Sequence, residues 1–187
     1  LLIIGPILLS GDLGVALIYV GILALMLFCA GLHPGYFGAA VLLLLLLAPF
    51  LWEHLAEYQQ QRIIIGFRPE LDPLGKGMQP LLSRQAIAAG GFFGVGLMTG
   101  GYYEILPASH TDFIVATVCE KFGYLGGSLV LILFMVMVVR IFMIARFASH
   151  SDYGGLICVG VGSVLAVQIL LNLGMCLGLL PVIGITL

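Results

Sequence analysis

Apolar residues in this chain come in long unbroken runs rather than in stripes, and the polar residues collect between the runs. A helix of about 20 mostly apolar residues crosses a bilayer, because about 30 Å of hydrocarbon is covered at about 1.5 Å per residue. The pattern predicts spans over residues 13–30, 34–52, 124–147 and 153–177. Residues 1–9 read as the end of an earlier helix turned round at Ser10-Gly11-Asp12, and Pro34 suits a helix start. Pro181 and Gly184 interrupt the start of any further segment beyond the last span. From Glu53 to Asp112 runs a stretch of about 60 residues, too polar to span and too long for a turn. Within it, Glu53, Glu57 and Gln61 recur every four residues, with Leu51, Leu55 and Tyr58 on another side. That spacing predicts an amphipathic helix continuing out of the second span as far as Ile65. Asp72-Pro73 and Gly75-Lys76-Gly77 predict a turn. Gly90, Gly91, Gly94, Gly96, Gly100 and Gly101 punctuate an apolar stretch, as helix packing or a close backbone approach to a ligand would require.

Composition turns these runs into a class: 61% hydrophobic, 9% charged and a mean hydropathy of +1.20 describe an all-α polytopic membrane bundle. With 7 Lys+Arg against 9 Asp+Glu there is no basic surface for a nucleic acid. Cys29, Cys119, Cys158 and Cys176 sit in apolar stretches without CxxC or Cys/His spacing, and read as small buried hydrophobes. No Walker or GxGxxG pattern marks a nucleotide site. Arg140 and Arg146 precede the short connector after the third span, with no acid until Asp152. The positive-inside rule therefore puts that connector in the cytoplasm and the 53–112 loop on the outer face. The chain opens at Leu1 without Met or a basic n-region and stops at Leu187 without a polar tail, as expected of a piece of a longer protein.

Several short strings converge in one order: Gly11-Asp12-Leu13-Gly14, Tyr58-Gln59 with Arg62-Ile63, and Asp72-Pro73 followed by Gly75-Lys76-Gly77-Met78-Gln79. Ser83, Ala86-Ile87, Gly90-Gly91, Leu106-Pro107, His110-Thr111-Asp112-Phe113, Glu120 and Phe122-Gly123 continue the order. Gln168, Asn172-Leu173-Gly174-Met175 and Gly178-Leu179-Leu180-Pro181-Val182 complete it. Together they resemble the SEDS family of FtsW, RodA and SpoVE, over nearly the whole chain. The resemblance implies a ten-helix protein, of which residues 1–187 hold a part from about the fifth helix to the ninth, with 53–112 as the major extracellular loop. It implies a bacterial cell-membrane enzyme that polymerises lipid II into peptidoglycan strands beside a class B penicillin-binding protein. On the family pattern Asp112 is the catalytic residue. Arg62, Lys76, Gln79, Ser83, His110, Glu120 and Asp12 are the positions expected to bind substrate. The chain departs from the pattern at Ala108, where Glu is usual, at Val95, where Lys is usual, and at Lys121, Ser10-Gly11 and Thr186.

Each of these residues has a plainer reading as well. Ser109-His110-Thr111-Asp112 fits an S-x-x-D capping box, with Asp112 at the third helical position. A positioned carboxylate is also a suitable base for the sugar hydroxyl that attacks an anomeric carbon. The leaving pyrophosphate needs positive charge, from Arg62, Arg68, Lys76 or Arg84 or from a divalent cation such as Mg or Mn; no protein metal site is expected. Any of the four side chains could instead be a solvated or snorkelling charge. Glu120 falls eight residues beyond Asp112, about 80° round the same helix, close enough to share a site or to pair with Lys121 or Arg140. Asp12 could cap a helix, and Gln168 with Asn172 could bond between helices. Trp52 suits an aromatic belt at a span end. Two other functions fit the pattern: a flippase for lipid-linked precursors, and a non-catalytic scaffold for a penicillin-binding protein.

Overall fold

The computed structural model describes residues 13–98, 101–106, 111–147 and 152–182. Asp12, Ser109 and His110, together with Ala108, Gly184 and Thr186, lie outside the described residues. Every regular element among the described residues is helical. These are α1 (Leu13–Cys29), α2 (Pro34–His54), α3 (Glu57–Phe67), α4 (Met78–Gly90), α5 (Tyr102–Ile105), α6 (Ile114–Phe147) and α7 (Asp152–Cys176), with a 3₁₀ turn at Pro69–Leu71. α2, α6 and α7 are long and apolar enough to cross a membrane. In α2 no residue is buried, as suits a helix that is apolar all round and has lipid-like surroundings rather than a polar solvent.

α6 packs along α7, and α1 lies against α7 with Gly21 facing Val167. α4 crosses the start of α6, where Gly90 comes so close to the backbone of Cys119 and Glu120 that a Cβ would overlap it. The buried cluster sits at this crossing: Phe113, Val115 and Ala116 meet Ala86, Leu106 and Cys176.

Two expectations change. The second span does not run on into the loop helix: Leu55 and Ala56 are extended, with ψ of 137° and 149°, and α3 begins afresh at Glu57. Gln59 Oε1 accepts the free Ala56 N–H at 3.1 Å, and Gln60 Nε2 donates to the Trp52 carbonyl at 2.8 Å, so side chains make good the broken backbone bonds. The third span begins after a kink, not a helix end. Gly123 in α6 has φ 70° and ψ −171°, a conformation open essentially to Gly alone.

Breaking a helix frees carbonyls before the break and N–H groups after it, and each must find a partner. The 91–96 segment supplies them. Val95 and Gly96 N–H donate to the Glu120 and Lys121 carbonyls at 2.9 and 3.2 Å, while Tyr124 and Leu125 N–H donate to the Gly91 and Phe92 carbonyls at 2.9 and 3.3 Å. The glycines of this stretch therefore serve a close approach to α6, with Gly94 (φ 86°) held against Lys121 and Gly123.

Candidate functional site

The 53–112 loop builds its site on the end of α7. A helix terminus leaves its last carbonyls without intrahelical partners. Here loop side chains reach them: Ser83 Oγ donates to the Cys176 carbonyl at 3.0 Å and Arg84 Nη2 to the Gly178 carbonyl at 3.0 Å. Farther along, Arg62 Nε donates to the Val182 carbonyl at 3.1 Å. Gly66 of α3 packs on Pro181 with no room for a Cβ. The turn after the 3₁₀ segment closes on Asp72, whose Oδ2 accepts the Lys76 N–H at 2.9 Å, and Lys76 Nζ then reaches Gln61 Oε1 at 3.3 Å.

These contacts border an open cavity of about 630 Å³ lined by Tyr58, Arg62, Gly66, Lys76, Gln79 and Val182, among others. Its described lining holds two cations and no carboxylate, so electrostatically it suits an anion. No group of three His, Cys, Asp or Glu side chains converges among the described residues. Three of the residues singled out in the sequence, Arg62, Lys76 and Gln79, thus meet in one place. Tyr58 and Val182, which stand in the family strings, were not among the expected site residues. The i, i+4 spacing of Tyr58 and Arg62 on α3 signals the first, whereas nothing local signals Val182.

The other singled-out residues are placed differently. Ser83 has no exposed surface and its hydroxyl is committed to α7, so it supports the cavity wall instead of lining it. Glu120 is 1% exposed and its Oε1 accepts the Tyr102 N–H at 2.7 Å; Gly101 leaves no space for a Cβ beside that carboxylate. Asp112 is half-buried and stands in the turn ahead of α6, whose first residue is Ile114. The helical angle between Asp112 and Glu120 therefore does not apply, and Asp112 is not at the third helical position. Of the remaining cations, Arg84 pairs with Glu70 at 3.5 Å, and Arg68 is exposed at the end of α3.

Asp112 lies outside the cavity lining but is joined to it. Phe113, next in the chain, is fully buried, and Val182 packs against the same cluster while also lining the cavity. The Asp112 carbonyl accepts Asn172 Nδ2 at 2.8 Å, a bond from α7. The Asp112 backbone and the cavity wall are thus both tied to the end of one spanning helix and the turn after it, through Asn172 and Val182.

The model of the FtsW, RodA and SpoVE family, described as cell cycle proteins, matches residues 1–187. The chain belongs to this family. Among curated proteins, stage V sporulation protein E of Bacillus subtilis is 40% identical over 178 residues, covering 94% of this chain and 48% of the relative. Peptidoglycan glycosyltransferase MrdB of Escherichia coli K12 is 36% identical over 179 residues, with the same 94% and 48% coverage. The probable peptidoglycan glycosyltransferase FtsW of Bacillus subtilis is 33% identical over 196 residues, covering 100% of this chain and 48% of the relative. The chain spans about half the length of the curated relatives it matches.

Proposed function

We propose that the intact protein is a peptidoglycan glycosyltransferase of the cell membrane that polymerises lipid II into glycan strands. The observation that carries this reading is the cation-lined cavity held, with Asp112, on the end of a spanning helix. Relatives named as peptidoglycan glycosyltransferases support it. In the reaction the acceptor sugar hydroxyl attacks the anomeric carbon of the donor. A new C–O bond forms, the bond to the lipid pyrophosphate breaks, and the electron pair leaves with the pyrophosphate. The proton of the attacking hydroxyl passes to the Asp112 carboxylate. Arg62 and Lys76 hold the pyrophosphate, whose charge grows as it leaves, with Gln79 as a further donor. A divalent cation, if it enters with the substrate, would add to the same charge. Ser83 and Glu120, both buried, hold the surrounding chain in place. His110 and Asp12 keep their family-based assignment to substrate.

The 53–112 loop faces the extracytoplasmic side, where the strand is built, and the Arg140 and Arg146 positions support that side. A class B penicillin-binding protein is the proposed partner, packing its single span on small-residue faces of this protein's spans. Co-purification in mild detergent tests it; a persistent failure to associate, with polymerisation still at full rate, would remove the partner as a requirement.

The central test is Asp112→Asn in the intact protein. An amide cannot take the proton, and loss of a general base typically costs about 10²- to 10⁴-fold in rate. Melting temperature and lipid II binding should stay near wild type while polymerisation of labelled lipid II is lost. A variant that polymerises at the wild-type rate rules out Asp112 as the base.

A further inference from the structure

Asn172 is a polar side chain in an otherwise apolar part of α7, and it has no exposed surface. A buried amide in a spanning helix is costly unless its donors and acceptor are used. Asn172 Nδ2 is used on the Asp112 carbonyl, at 2.8 Å, and Cys176 Sγ approaches both the Asn172 Oδ1 (3.6 Å) and the same Asp112 carbonyl (3.9 Å). The Asn172 end of α7 is itself tied to α4, because Ser83 donates to the Cys176 carbonyl.

We infer that Asn172 is a positioning residue for Asp112. The peptide after Asp112 is planar, so its carbonyl direction and the buried Phe113 side chain together fix the Cα–C bond of Asp112. With that bond fixed, the Asp112 Cα is fixed and its Cβ is left only rotation about the one bond, so the base is restrained by a contact its carboxylate does not itself make. Asn172 touches neither substrate nor the reacting atoms. It transmits the position of α7, and hence of the cavity that Val182 lines, to the base. The inference rests on the reading of Asp112 as general base, and it assigns to α7 a part in catalysis that packing alone does not require.

The test uses Asn172→Leu, which keeps the branched shape with somewhat more bulk and removes the donor, and Asn172→Ala, which removes the donor and leaves a void. In the intact protein, kcat and KM for labelled lipid II are measured with the melting temperature, beside Asp112→Asn and the two double variants. A misplacement of about 1 Å can cost about 10²-fold. Both single variants should therefore lose about 10- to 100-fold in kcat with KM within about threefold of wild type, and neither should lower the residual rate of Asp112→Asn. If one variant fails to accumulate, the other carries the measurement. Wild-type kcat in a folded Asn172 variant, or a loss borne by KM alone, overturns the positioning role while leaving Asp112 as the base. A fully active Asp112→Asn defeats the general-base reading itself, and the positioning role with it.

Discussion

Gly66 and Pro181 touch because neither brings bulk to the contact, and the cavity depends on that closeness. Gly66→Ala puts a methyl into the proline ring, and overpacking of this kind costs about 1–3 kcal/mol. The variant should melt lower and should release the Arg62 bond to the Val182 carbonyl, seen as weaker lipid II binding. Ser83→Ala is milder. It removes one neutral hydrogen bond at a buried helix end, about 1 kcal/mol, so a modest fall in melting temperature with most of the polymerisation retained is expected. Lys76→Met separates charge from packing: the stem remains, the ammonium is lost, and KM for lipid II should rise about tenfold with little change in melting temperature. An unchanged KM would mean that the cavity does not hold the anion through Lys76.

The element that decides the geometry around the site is the kink in α6. Gly123 sits in a backbone region closed to residues with a side chain, and a Cβ there would also overlap the Gly94 and Phe92 backbone. Gly123→Ala should therefore cost about 2 kcal/mol or more, through strain together with lost pairing to residues 91–96. Hydrogen exchange in the detergent-solubilised protein reads this directly, because the Val95 and Gly96 amides should lose protection while amides deep in α7 keep theirs. Retained protection at Val95 would show that the 91–96 segment is held by something other than the kink. The same kink explains an apparent success of the hydropathy pattern. A span expected from Tyr124 begins at the first residue after Gly123, although α6 itself starts at Ile114, in a part that is buried by α4 rather than by lipid.

For the molecule in its membrane, the side on which the loop lies decides where its cavity works. Single cysteines at Lys76 and at Ser149, in the connector between α6 and α7, should label oppositely with an impermeant maleimide on intact cells, in a version lacking Cys29, Cys119, Cys158 and Cys176. Lys76→Cys is expected to react and Ser149→Cys to stay protected until the membrane is opened. Labelling of the Ser149 position alone would invert the topology and take the loop away from the face where strands are built.

Properties that are sums over neighbouring residues can be read from the chain before it folds. Transfer into lipid is close to additive along a helix, so α2 and α7 were legible from their runs of Leu, Val and Ile, and Asp72 with its nearby glycines announced a turn that closes within five residues. The family was legible from short strings in order, and the candidate site residues Arg62, Lys76, Gln79 and Asp112 came with it. Side-chain direction is another matter, because it is set by partners far along the chain. Ser83 and Arg62 meet carbonyls 93 and 120 residues away, and Asp112 meets Asn172 at a separation of 60. It took the folded chain to turn Ser83 and Glu120 inward, bring Arg62 and Lys76 to one cavity, and put Asp112 ahead of α6 instead of within it. The free ends of α7 and of the kinked α6 expose backbone groups that must be satisfied, and the loop folds so as to satisfy them.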